Sequence, residues 1–288
     1  MISSVTLKIG FHPNNLHLTL ASHWPGAFKT LRPDFIRYEE GRDTAVKLAR
    51  GEIDLGGTGS TPPIIAAVNG MSVIYAAASA PRPANGAILV KKGAGVERIA
   101  DLSNKPVALV DGSFLTYFLA RSLEEAGLNL GNVERRDLPP AQSRELLLSG
   151  EVAAWLAMAP HLEQALGEGD FQVLAHCGTT IPNRSLFWTS KERALSAETL
   201  ATFQSELAEL GQAITADPEQ AARLLSPDGG ERERRAWTRI VSERNWRIDP
   251  ADAELLWEQQ READTLFRHG ALERSVQIAE QNGKAALS

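Results

Sequence analysis

Several stretches of this 288-residue chain set small polar residues where an apolar run gives way to a helix-forming one, an arrangement suited to holding an anion. The first is Gly56-Gly57-Thr58-Gly59-Ser60-Thr61-Pro62-Pro63. Glycine lets a backbone approach a ligand closely, and the free first-turn amides with the hydroxyls of Ser60 and Thr61 can donate to a negative group. No Gly-Lys-Ser/Thr follows, so this is not a phosphate-cradling P-loop. The second stretch, Asp111-Gly112-Ser113-Phe114-Leu115-Thr116, repeats the pattern. One exposed helix N-terminus contributes about 0.3–1 kcal/mol toward a negative charge, and two facing ones form a clamp. Taken alone, each stretch serves equally well as a turn with an ordinary N-cap.

A third stretch, Ala154-Trp155-Leu156-Ala157-Met158-Ala159-Pro160-His161, ends a strand-like run and offers Met158 and His161 as pocket wall, core packing with a surface histidine being the plainer reading. Asn14, Asn15 and Ser79 also follow strand-like runs, where open parallel sheets place their ligands. Simple turn chemistry accounts for the asparagines too.

Catalytic patterns are sparse. The chain has no Gly-x-Ser-x-Gly elbow, and its histidines at 12, 17, 23, 161, 176 and 269 form no His-Glu-x-x-His motif. The expectation is therefore no metal, no cofactor and no enzyme; the alternative is a cytosolic enzyme using His12 or His161 as acid or base. Cys177 is the only cysteine, which excludes an intrachain disulfide, and its place after an apolar run predicts an inert buried thiol.

The elements that must position these groups follow from periodicity. Strands are expected at Val5–Gly10, Phe35–Tyr38, Ile53–Gly57, Val73–Ala78, Gly86–Val90, within Leu102–Asp111, and at Val133–Leu138, Ala153–Ala157, Phe171–Ala175 and Ser185–Thr189. Helices are expected at Leu16–Ser22, at Asp43–Arg50 with Gly51 as its stop, after Ser60, at Phe114–Ala126 and at Ala141–Leu148. From Ser196 onward the chain reads as helical, with breaks at Asp217-Pro218, Pro227-Asp228-Gly229-Gly230 and Asp249-Pro250. Strands alternating with helices give an α/β class with mainly parallel sheets. Two such sets and a helical tail predict two lobes, 1–85 plus 190–288 and 86–189, joined by two crossovers that act as a hinge.

Composition agrees. With 43% hydrophobic and 23% charged residues the chain falls outside the disordered, collagenous and membrane classes, and a net charge of −6 excludes nucleic acid as a partner. No window approaches eighteen consecutive apolar residues. The first residues, MISSVTLKIG, lack the basic and apolar regions of an export signal. The expected location is thus the periplasm, or outside the cell in association with the membrane, if an export signal was trimmed, and the cytoplasm otherwise.

In order along the chain, LKIGF, ARGEIDLGGTGSTPPIIAA, AILVKK, DLSNKPVALVDGSFLTYFLARSLEEAGL, LPPAQSRELLLSGEVAAW, the Pro160 turn and QREADTLFRHGAL resemble the aliphatic sulfonate-binding proteins of the nitrate/sulfonate/taurine class of ABC importers. The resemblance implies a type II periplasmic-binding-protein fold holding a sulfonate or similar small organic anion between its lobes, partnership with an ABC permease in the membrane, and a monomer. It implies ligand-binding roles for Asn14, Asn15, Gly59, Ser60, Thr61 and Ser79 from one lobe and for Gly112, Ser113 and Phe114 from the other. The chain departs from the family where Met158-Ala159-Pro160-His161 replaces a common Trp-Asp-Pro-Tyr, and where His12-Pro13-Asn14-Asn15 replaces a glycine-containing loop. Loss of that carboxylate removes a partner for a ligand ammonium, which disfavours a taurine-like zwitterion.

Overall fold

The computed structural model describes residues 6–278. In chain order its elements are β1 (Lys8–Phe11), α1 (Leu16–Ala21), β2 (Asp34–Arg37), α2 (Thr44–Arg50), β3 (Leu55–Thr58), α3 (Thr61–Val68), β4 (Val73–Ser79), β5 (Ala87–Lys91), β6 (Pro106–Leu109), α4 (Phe114–Glu125), β7 (Glu134–Asp137), α5 (Pro140–Ser149), β8 (Ala154–Ala157), α6 (His161–Glu168), β9 (Phe171–His176), β10 (Leu186–Ser190), α7 (Ala197–Ala216), α8 (Pro218–Leu225), α9 (Glu231–Glu243), β11 (Ile248–Pro250) and α10 (Ala253–Arg268). No helix among the described residues is long and apolar enough to cross a membrane.

The chain divides into two compact units. One takes the chain up to Ala80 and from Arg184 to Trp257; the other takes Pro81–Asn183 and Glu258–Val276. The first is built on a six-stranded sheet of order β11-β4-β10-β3-β1-β2. Strands β1, β2 and β3 are parallel, while β10 runs antiparallel to both β3 and β4, so β4 points the same way as β3. Its core gathers Ile9, Leu18 and Leu20 with Phe187, Phe203 and Trp246, each essentially buried. Burial of large apolar side chains at about 25 cal/mol per Å² is what holds helix to sheet here.

The second unit carries a five-stranded sheet of order β7-β6-β8-β5-β9. Strands β6, β7 and β8 are parallel, and β5 runs antiparallel to its neighbours β8 and β9. Leu89, Ala108, Leu147, Trp155, Leu162 and Phe171 form its separate core.

The unit boundaries correct the expected ones. Residues 184–189 were assigned to the second lobe, yet β10 pairs with β3 and β4 in the first sheet, so the return falls at Arg184. A short apolar run reads the same whichever sheet it completes. The tail is also divided, because Glu258–Val276 clusters with the second unit although it was expected in the first. The break expected at Asp249-Pro250 is a strand: Ile248–Pro250 pairs antiparallel with β4 at the sheet edge, where a proline costs no ladder bond.

Candidate functional site

In the first unit the carboxyl ends of β1, β3 and β4 share one sheet edge, and the candidate residues follow them. Thr58 closes β3 with its hydroxyl fixed on both sides, donating to the Gly59 carbonyl at 2.7 Å and accepting from the Trp188 indole at 3.0 Å. That anchor sets the direction of Gly59, Ser60 and Thr61. Ser60 occupies the N-cap position of α3 and is 7% exposed, but its side chain makes no capping hydrogen bond. Thr61, the first helical residue, is buried.

The following residues, Pro62 and Pro63, have no N–H, so two of the four amides that a helix start ordinarily leaves unpaired do not exist in α3. The first-turn amides expected to serve an anion are thus halved in number, and the Ser60 hydroxyl gains in importance. The glycines also have another purpose. A Cβ on Gly57 would stand 2.5 Å from Asn15 Nδ2 and 2.8 Å from Leu18 Cδ1, and one on Gly56 would stand 2.7 Å from Thr44 Cγ2. These two residues are small so that α1 and α2 can pack on β3, not so that a ligand can approach.

The two asparagines separate sharply. Asn14 is exposed. Asn15 is 1% exposed and caps α1, its Oδ1 accepting from the Leu18 amide at 3.1 Å. Ser79 is 0% exposed, and its hydroxyl donates to the Ala80 carbonyl and accepts from the Ser185 amide, both at 2.9 Å. It ties β4 to the start of β10. His12 is buried with its ring 6.0 Å from that of Tyr38 and close over Gly41. Burial pushes the Tyr38 phenol up to about 12, and its hydroxyl pairs with Thr44 at 2.6 Å.

In the second unit the carboxyl ends of β6 and β8 and the start of the antiparallel β5 share an edge. Gly112 has a φ of 73°, a left-handed conformation that favours glycine, and turns the chain from β6 into α4. The turn is a closed network. Asp111 accepts from the Gly112 amide at 3.0 Å, from the Thr116 hydroxyl at 2.7 Å and from Arg135 Nη1 at 2.9 Å. The Gly112 amide also reaches the Thr116 hydroxyl at 2.9 Å, so it is turned into the loop and away from a ligand.

Ser113 caps α4, and its hydroxyl donates to the Val110 carbonyl at 2.6 Å while accepting from the Leu115 amide at 3.2 Å. The two helix starts are therefore unlike. Ser60 keeps its hydroxyl uncommitted to the cap, whereas Ser113 spends its own on the cap and leaves the amides of Ser113 and Phe114 as the donors of that turn. Phe114 itself is buried, its ring against Gly86. Met158 and His161 flank the cis Ala159–Pro160 peptide, both partly exposed. Burial holds the His161 imidazole below its ordinary value of 6.5, the neutral form being the one that tolerates desolvation.

Two features escaped sequence reasoning. One is the Asp111–Arg135 pair that braces the α4 turn. The other is Arg82, 6% exposed, whose Nε and Nη2 donate to the backbone and side-chain oxygens of Asn183 at 3.1 and 3.0 Å. An arginine between two prolines reads as exposed loop, and its partner lies 101 residues away. Cys177 is buried as expected, with burial raising its thiol pKa. No group of three or more His, Cys, Asp or Glu among the described residues is placed to hold a metal ion.

Comparison with known proteins adds identity to this geometry. The family model described as NMT1/THI5 like matches residues 31–221. A protein of Escherichia coli K12 named for binding aliphatic sulfonates is 28% identical, over 97% of this chain and 89% of its own length. The crystal structure of the periplasmic aliphatic sulphonate binding protein SsuA from Escherichia coli superposes with a TM-score of 0.82 at 25% identity, covering 96% of this chain and 91% of that one. The alkanesulfonate-binding protein SsuA from Xanthomonas axonopodis pv. citri, solved with MOPS, shares the fold with a TM-score of 0.83 at 24% identity, over 96% of this chain and 97% of that one.

Proposed function

From a chain that belongs to the NMT1/THI5-like family, we propose a solute-binding component of an ABC importer that captures an organosulfonate and delivers it to a membrane permease. One observation carries the reading: Ser60 follows the carboxyl end of β3, beside the parallel strand β1, at a helix start, with its hydroxyl not used by the cap. The near end-to-end likeness to a relative named for aliphatic sulfonate binding supports the ligand class.

The chemistry suits that class. A sulfonate spreads one negative charge over three oxygens and keeps it at any physiological pH, so it asks for several donors and no proton transfer. The first unit, by itself, offers the Ser60 hydroxyl; the second, by itself, offers the amides at the start of α4, on a turn braced by the Asp111–Arg135 pair. Met158 and the neutral His161 would then face the organic group. They provide no carboxylate for an ammonium, which favours a simple sulfonate over an amino sulfonate. The buried Cys177 thiol, raised by burial, is poorly suited to act as a nucleophile, and this supports binding over catalysis. The periplasmic setting of the Escherichia coli relative supports an extracytoplasmic location.

A thermal-shift screen of alkanesulfonates, arylsulfonates, sulfate esters and nitrate tests the proposal. A ligand present at 100 times its Kd adds about 2.7 kcal/mol to stability. An upward shift confined to sulfonates is the expected result, and no shift with any sulfonate would end the proposal.

A further inference from the structure

The first residues of the second unit bury a cation that no carboxylate neutralises. Arg82 is 94% buried by area, and among the described residues the hydrogen bonds of its guanidinium run to Asn183 alone, from Nε to the backbone oxygen and from Nη2 to Oδ1. Asn183 in turn donates Nδ2 to the Arg82 carbonyl at 3.2 Å and to the Asn85 carbonyl at 3.1 Å. A guanidinium carries five N–H donors, so this interlock leaves Nη1 unspent. Two partly buried arginines elsewhere do face carboxylates, Arg135 at 2.9 Å from Asp111 and Arg184 at 2.8 Å from Asp249.

The surroundings contain no charge to offset the guanidinium. Burial alone holds its pKa down to about 10, and the single group acting electrostatically on it is Cys177. Taking an unpaired cation out of water costs several kcal/mol even after relaxation. Cross-linking 82 to 183 needs only neutral donors, so it does not account for a charge at this position. A bound anion would.

The residues around Arg82 lead, contact by contact, to the start of α4. Cys177 Sγ lies 3.3 Å from the Pro83 carbonyl, and Gly86 is closed in by both Cys177 and the Phe114 ring, so Arg82, Cys177, Gly86 and Phe114 form one contiguous set within this unit. Phe114 opens α4, whose amides are the donors left by the Ser113 cap. We propose that Arg82 is the cationic anchor for the sulfonate in the second unit, offering Nη1 to the same anion that the start of α4 receives. The inference rests on the sulfonate reading and sharpens it, because it replaces a site of neutral dipoles with one that discriminates on charge.

The test compares 1-butanesulfonate with its neutral counterpart 1-butanesulfonamide. By isothermal titration, Arg82→Gln should weaken the sulfonate by at least about 30-fold and the sulfonamide by less than about threefold, as expected when one member of a buried charged pair is removed. Arg82→Lys should fall between. Equal losses for both ligands would mean a structural role, and a sulfonate affinity within threefold of the unmodified protein would also overturn the proposal. If Arg82→Gln fails to fold, the unmodified chain still decides: its Arg82 Nε–H resonance must shift on adding 1-butanesulfonate, and an unmoved resonance with ligand bound overturns the inference. An unmodified protein that binds no sulfonate refutes the proposed function instead, and the anchor with it.

Discussion

At the residue scale, the two serines that look equivalent in sequence predict different losses. Ser60→Ala removes a hydroxyl that caps nothing, so it should weaken sulfonate binding by about tenfold or more, the worth of a hydrogen bond to a charged group, with little change in Tm. Ser113→Ala removes a hydroxyl with two partners and should cost about 1 kcal/mol of stability, seen as a lowered urea midpoint. Equal behaviour of the two variants would contradict the assignment. The difference was invisible in sequence because both serines precede a helix, and only the local turn decides which hydroxyl folds back. Ser79 shows the same limit: its place after a strand was legible, but its use by Ser185 depends on a strand more than a hundred residues away.

Histidines add a pH prediction at this scale. Burial lowers the pKa of both His161 and His269 below the ordinary 6.5. The unfolded chain then binds more protons than the folded one in the window between the folded values and 6.5, so stability rises with pH there. Their contribution is complete above about pH 6.5 and is lost as pH falls through the lowered values. Denaturant unfolding followed from pH 8 to pH 5 should show this decline, and the His161→Gln, His269→Gln pair should flatten it. An unchanged slope in the double variant would refute the assignment.

At the element scale, β3 is shaped by its neighbours. Gly57→Val would drive a branched side chain against Asn15 and Leu18, and overpacking of this kind costs about 1–3 kcal/mol. Asn15→Ala alone loses the α1 cap, about 1 kcal/mol. Because the two residues meet, Gly57→Ala combined with Asn15→Ala should cost less than the sum of the single changes, a coupling that a denaturation cycle measures. Strict additivity would place the clash elsewhere. The run Gly56-Gly57 was read as room for a ligand; the requirement for glycine was legible, but what fills the space was not, since it comes from helices that the local spacing does not position.

At the scale of the whole molecule, much of the α/β order could be read from alternation and punctuation. The stops were readable too: Gly51 ends α2 as expected, and Ser113 begins α4. The division into units was less legible. Strand β10 carries an apolar run that fits either sheet, and α10 passes from one unit to the other without any break in its pattern. Strand β11 is three residues at an edge, too short for a period to register. Arg82 belongs to the same class of miss, because its burial is created by a segment that returns only after the second sheet is complete.

The central claim is that this protein binds an organosulfonate, and calorimetric titration of the purified chain with 1-butanesulfonate tests it most directly. The account predicts one saturable site per chain with a Kd in the micromolar range, about 8 kcal/mol of binding free energy. Absence of saturable binding at millimolar 1-butanesulfonate would contradict it.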